Sequence, residues 1–214
     1  YISGGGEILA GKRMKIMAAY THLGLNKAYR AWAADSVYYY KEFKQNQQQF
    51  YLRGKIGLSR GISIKGAVNL VKLDYDQPLT TYDADSNNYT HTFISVNDHY
   101  WIGYLGVSKD FGLIRPGIFM SYSNLNNLDQ FQMGVEFTAW PTGSTNFFTT
   151  SRFLMNNNDG KTDFIVEQRA GFSLLQHLWL EVAATIGNME NYHEKDGYIV
   201  YNFAGNMRFK SDAT

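Results

Sequence analysis

Between Phe164 and Gly187 the chain reads FIVEQRAGFSLLQHLWLEVAATIG. Taken two residues at a time, its first part separates into Phe164, Val166, Gln168, Ala170, Phe172 and Leu174 on one side. Ile165, Glu167, Arg169, Gly171 and Ser173 fall on the other. After the break at Leu175-Gln176-His177, Leu178, Leu180, Val182, Ala184 and Ile186 alternate with Trp179, Glu181, Ala183 and Thr185. Successive side chains of a β-strand point to opposite faces, so this period gives two strands, each with one apolar and one polar face. A short turn between them makes an antiparallel hairpin.

The same alternation recurs outward from this hairpin. Met133, Val135, Phe137 and Ala139 oppose Gln132, Gly134, Glu136 and Thr138. Phe50, Leu52, Gly54, Ile56 and Leu58 oppose Tyr51, Arg53, Lys55, Gly57 and Ser59, and Met14, Ile16, Ala18 and Tyr20 oppose Arg13, Lys15, Met17 and Ala19. Ile64–Leu73, Trp101–Lys109, Arg115–Ser123, Phe147–Met155 and Tyr198–Phe209 read as strands with blurred alternation. The total is about ten strands of about 9–11 residues, the length that crosses a bilayer at a tilt.

Short turns are expected at Arg60-Gly61, Asp110–Gly112, Trp140–Gly143 and Leu175–His177. Longer polar connections are expected at Asp74–Thr92, Asn124–Asp129, Asn156–Asp163 and Glu190–Gly197. Gly24–Gln49 is a further long connection, whose middle, Tyr29–Phe43, reads equally as a short helix or a strand continuation. Short turns at one end and long loops at the other describe an up-and-down antiparallel arrangement, and no domain boundary interrupts residues 1–214.

Composition narrows the function classes. The 20 Lys+Arg and 19 Asp+Glu leave a net charge of +1, so there is no concentrated basic surface for nucleic acid. The absence of cysteine excludes disulfide scaffolds, zinc–thiolate and iron–sulfur sites, and cysteine nucleophiles. The longest stretch without Asp, Glu, Lys or Arg is Phe137–Ser151, which holds Pro141 and Gly143, so no apolar run of about 20 residues exists for a membrane helix. The chain starts at Tyr1, which reads as a mature, processed or partial sequence.

Aromatic residues make up 16% of the chain and collect at strand ends. Tyr20, Tyr75, Tyr100, Trp101, Tyr122, Phe164, Tyr192 and Tyr198 lie towards the long connections, with Phe111, Trp140, Phe147 and Trp179 towards the short turns. Two interfacial girdles would sit there, because Trp and Tyr favour the headgroup level. The clearest expected membrane-interface residues are Tyr20, Trp101, Tyr122, Trp140, Trp179 and Tyr198. A soluble barrel with its apolar face inward alternates in the same way and stays open as an alternative.

The Tyr- and Asn-rich hairpins, such as Gly117-Ile118-Phe119-Met120-Ser121-Tyr122-Ser123-Asn124, resemble Gram-negative outer-membrane β-barrel proteins, with a flavour similar to those of Bacteroidota. The resemblance is architectural and no motif points to a subfamily. It implies an all-β, antiparallel up-and-down transmembrane β-barrel in the cell outer membrane, with outer-membrane lipid and other envelope proteins as partners. Such barrels end on an aromatic residue of the last strand. Here Phe209 is followed by Lys210-Ser211-Asp212-Ala213-Thr214, so either a tail overhangs or the visible strands belong to a larger barrel.

Mid-strand charges fall on the polar parity: Arg13, Lys15, Arg53, Lys55, Lys65, Glu136, Arg152, Glu167, Arg169 and Glu181. Facing lipid at mid-depth, each would cost about 2–4 kcal/mol, so they are expected to line the lumen. In a barrel of about ten strands, side chains fill the interior, which favours an ion-paired plug over an open charged pore. Pairing Thr138 with Thr150 would set Glu136 opposite Arg152, and the hairpin near Gln176 would bring Arg169 close to Glu181.

Catalytic signals are weak. His91, Ser95, Asn97, Asp98 and His99 supply residue types without the spacing of a nucleophile–base–orienter set. His193 with Glu190, Glu194 and Asp196 reads as a solvated acidic loop, and Gly4-Gly5-Gly6 has no following helix to make a phosphate cradle. No catalytic residue, metal or cofactor is therefore assigned. The sequence points to a small channel or transport component, or to a membrane-anchored subunit of a larger envelope complex. An outer-membrane enzyme using loop residues and a secreted soluble barrel that binds an apolar ligand are the alternatives.

Overall fold

The structure is a computed structural model that describes residues 1–33, 36–83, 88–175, 178–188, 192–193 and 195–197. Ten strands follow one another: β1 (Ile2–Ala10), β2 (Met14–Ala33), β3 (Ser36–Gly57), β4 (Ile62–Asp83), β5 (Asn88–Lys109), β6 (Ile114–Ser123), β7 (Gln130–Ala139), β8 (Phe147–Asn158), β9 (Lys161–Leu175) and β10 (Leu178–Gly187). They form one antiparallel sheet whose spatial order is the chain order. Among the described residues no ladder joins β10 back to β1, so the sheet has two free edges and is not a closed barrel. The expected strand Tyr198–Phe209, with the interface residue Tyr198, lies outside the described residues.

The registers put the expected faces where the alternation requires. Thr138 pairs with Thr150 and Glu136 with Arg152. Arg169 pairs with Ala183 and Glu181 with Gly171, which leaves Arg169 and Glu181 one diagonal step apart. One face carries Phe50, Leu52, Val68, Leu70, Leu105, Ile118, Met133, Val135, Phe153, Val166 and Val182, all of them exposed. The opposite face carries the buried polar groups Gln45, Gln47, Gln49, Asn69, Gln130, Gln132, Arg152 and Glu167. A soluble sheet buries its apolar side and wets its polar side; this sheet does the reverse.

The polar face curls around residues 192, 193 and 195–197, which follow β10. Tyr51 of β3 donates to the Asp196 carbonyl (3.1 Å), and Asn69 of β4 donates to that of Gly197 (3.0 Å). Ser121 of β6 and His193 Nε2 are 3.0 Å apart, and the Tyr192 hydroxyl donates to Glu167 of β9 (3.0 Å). One short segment reaches strands so far apart in the order only if the sheet is concave towards it. The expected outer loop Glu190–Gly197 is therefore corrected: its residues 192, 193, 196 and 197 pack against the interior, with His193 and Asp196 buried.

Two further expectations change. The long connections Gly24–Gln49 and Asp74–Thr92 are mostly strand, so that β2 to β5 run to 20–22 residues. The β3–β4 ladder ends at Gln45–Tyr75, and beyond it β2–β3 and β4–β5 continue as separate two-stranded ribbons. The ribbons pack through Tyr29, Tyr39, Phe43, His91 and Phe93, with ring centroids 4.5–6.4 Å apart, and the hydroxyls of Tyr29 and Thr80 meet at 2.8 Å. The connection expected over Asn156–Asp163 shrinks to Asp159-Gly160, since Asn158 already pairs with Lys161. Both turn residues have positive φ (48° and 82°), the two-residue hairpin geometry for which Asp-Gly is suited.

Candidate functional site

The concave face holds every expected lumen residue except Arg13, which lies in the β1–β2 turn, where its carbonyl accepts the Gly57 N–H. The remaining charges gather into two groups.

The first spans β7, β8 and β9. Glu136, Arg152 and Glu167 are directly opposed on adjacent strands, so one guanidinium lies between two carboxylates. Arg152 is 2% exposed and donates to Glu167 Oε2 at 2.6 Å, with Glu136 Oε2 at 3.5 Å from its Nε. The Phe119 ring lies 4.3 Å from the same guanidinium, and Tyr192 donates to the Glu167 oxygen that Arg152 holds. Arg169 extends the network, reaching Glu167 at 3.5 Å and Glu181 at 2.9 Å. Opposite charges in register, each with further polar contacts, are what a buried ion group needs to offset desolvation.

The second group spans β2, β3 and β4. Lys15 is directly opposite Lys55, and Lys55 directly opposite Lys65, with Arg53 the next concave-face residue along β3. Partners come from outside this row. Glu7 of β1 contacts Lys15 (3.1 Å) and Arg53 (3.3 Å), while Asp196 contacts Arg53 (3.2 Å) and Lys65 (2.7 Å). Asp196 adopts a positive φ of 62° to present its carboxylate there, a conformation that Asp tolerates better than most residues. At the neighbouring β5–β6 turn, the Arg115 guanidinium and the Gly112 N–H hold the Asp110 carboxyl below its ordinary value.

The interior also has apolar parts. Tyr51, Ala67, Tyr104, Phe119, Leu154 and Ile165 form one buried cluster, and Val71, Leu73, Tyr100, Ile102 and Leu125 a second. The concave face thus carries these clusters, and residues 192, 193, 196 and 197, beside its charged groups.

The aromatic residues divide between the faces. Tyr20, Trp101 and Tyr122 are exposed on the apolar face, and the last two rings lie 5.4 Å apart. Trp179, which is exposed, shares the parity of Glu181 and stacks on Phe148 (5.9 Å, 14°) over Gly171. Tyr75 and Tyr100 turn inward, and both donate to Asp98 (3.5 and 2.7 Å); Tyr192 is inside the curve. The Trp140 ring lies 4.8 Å from the guanidinium of Arg115, a residue of the concave parity.

No family model matches the chain, and no curated protein matches it. Among the described residues no helix is long and apolar enough to cross a membrane, and no group of three or more His, Asp or Glu is arranged to hold a metal ion. His91 is part of the ring contacts between the ribbons, and Ser95 donates to Asp76 (2.8 Å). Ser121 and His193 do meet, but both are 3% exposed, so this Ser–His contact ties residues 192–197 to β6 with no open approach for a substrate. The sequence had offered His193 only as part of an acidic loop. Its meeting with Ser121, 72 residues away, carried no local signal.

Proposed function

We propose that the chain is a membrane-embedded β-sheet of the outer membrane, closed into a barrel, with its apolar face in lipid and its concave face as the interior. The observation that carries this reading is the inversion of the two faces. Leucine, valine, isoleucine, methionine and phenylalanine stand exposed on the convex side, while glutamine, asparagine and ion pairs are buried on the other. A contiguous exposed apolar face marks an interaction site, and one that runs across nearly every strand fits a lipid belt. Closure of the free edges belongs to the proposal, because unpaired strand edges are not tolerated in hydrocarbon.

A filled interior favours a membrane-anchored subunit of a larger envelope complex over an open pore. The twin ribbons beyond the β3–β4 ladder offer such a complex a surface outside the lipid belt. Spin labels at Val68, Leu105, Ile118 and Val135 in proteoliposomes test the reading. They are expected to be accessible to oxygen and shielded from a water-soluble nickel chelate. Chelate accessibility equal to that of a label at Lys161, the exposed first residue of β9, would overturn it. Stable single-channel conductance in planar bilayers would replace the anchor by a small channel while leaving the membrane assignment standing.

A further inference from the structure

The lysine row of β2–β4 opens at its turn end into a cleft of about 440 Å3. Lys12, Arg13, Lys15, Lys55 and Arg60 contribute to its lining, with Ser59 and Ser63 as neutral hydrogen-bonding groups and no carboxylate. Exposed cations in turns are commonplace and cost little. Lys55 is different. It stands half-buried on a central strand, with a lysine directly opposite on each neighbouring strand. Like charges in that arrangement are destabilising. Arg115, Lys65, Lys15 and Arg53 surround its ammonium with positive charge, and the Asp110 carboxylate, which also senses it, is engaged by the Arg115 guanidinium (2.6 Å) and the Gly112 N–H (2.8 Å). The carboxylates that reach this wall, Glu7 and Asp196, are engaged with Lys15, Arg53 and Lys65. Among the described residues none is paired with Lys55.

From this geometry we infer that the cleft is a binding site for a multivalent oxyanion of the phosphate type, with Lys55 at its inner wall and Lys12, Arg13, Lys15 and Arg60 around its mouth. The Asp196 carboxylate, held by two cations of the same wall, shows how an anionic oxygen is received there. The volume lies within the range of small-molecule sites, about 300–1,000 Å3, and exceeds what a single chloride needs. A compact ligand carrying two or more charges would meet several cations at once, and charge-assisted hydrogen bonds are the stronger kind. The site needs only the folded sheet, so it stands or falls separately from the membrane assignment.

The test is calorimetric titration of the full chain with sodium pyrophosphate, in a zwitterionic detergent at about 0.15 M salt, where charges farther apart than about 8 Å are screened. Saturable binding is expected. Lys55→Gln is expected to weaken it by about tenfold or more, the scale of one lost charged contact. Lys161→Gln removes the same charge from the distant start of β9 and is expected to change it less than about twofold. Arg60→Gln, in an exposed turn, weakens binding without touching a ladder and covers the case in which Lys55→Gln disturbs the sheet. Displacement of pyrophosphate by phosphatidylglycerol, but not phosphatidylcholine, in mixed micelles would identify a lipid headgroup as the source of the phosphate. Failure of both lipids to compete would assign the site to a free oxyanion. Absence of saturable binding, or equal affinities for Lys55→Gln and Lys161→Gln, would overturn the inference.

Discussion

The two walls of the concave face solve the same problem in opposite ways. On β7–β9, three directly opposed residues read Glu136, Arg152, Glu167; on β2–β4, three directly opposed residues read Lys15, Lys55, Lys65. The first row is neutralised within the sheet and sealed by Phe119 and Tyr192. The second draws its anions from elsewhere, and among the described residues its central member has no carboxylate in contact. An interior whose only task was to hold strands together could use the first arrangement throughout. The second keeps positive charge available where stability alone argues against it, and that difference separates a scaffold from a site.

The sharpest way to break the comparison is to remove the centre of the neutral row. Arg152→Met leaves Glu136 and Glu167 without their shared cation in a buried place, and is expected to destabilise by about 3–5 kcal/mol in denaturant unfolding. A loss below about 1 kcal/mol, the range of exposed pairs, would show that water reaches the row. Next comes Asp196→Asn, which takes the carboxylate from Arg53 and Lys65. A loss of about 1–3 kcal/mol is expected, the worth of hydrogen bonds to charged groups, and unchanged stability would remove Asp196 from the wall. Lys55→Met should shift stability the other way, upwards by about 0.2–1 kcal/mol, because it relieves two like-charge oppositions. The smallest effect belongs to Glu181→Ala. Its partner Arg169 is 33% exposed and Glu181 itself 41%, so at most about 1 kcal/mol should be lost, and less at high salt.

How much of this was legible in the sequence depends on contrast between neighbouring residues. Phe164–Gly187 alternates apolar with charged residues, and its two faces came out as expected; so did the Thr138–Thr150 register, fixed by a short turn. Contrast fails at Gln45-Asn46-Gln47-Gln48-Gln49, where both faces are polar and only the ladder distinguishes buried Gln47 from exposed Gln48. The doubled length of β3 was hidden for that reason, as was that of β4 and β5 in Thr- and Asp-rich sequence. Asp159-Gly160 carried a hairpin signal that the surrounding asparagines obscured. Residues 192–197 have no periodicity, and contacts such as Tyr51 to Asp196 span 145 residues, so no local pattern announced them.

The position of that segment has a consequence for how the molecule is built. Among the described residues every backbone ladder joins strands adjacent in the chain, so the sheet can grow hairpin by hairpin, each closing only a short loop. The partners of residues 192–197, in contrast, lie on β3, β4, β6 and β9, and exist together only after all those strands have been laid down and curved. The two kinds of contact therefore differ in what they require: pairing needs only the next strand, while the contacts that hold the curve need all those strands at once, with Arg53 and Lys65 side by side to receive Asp196.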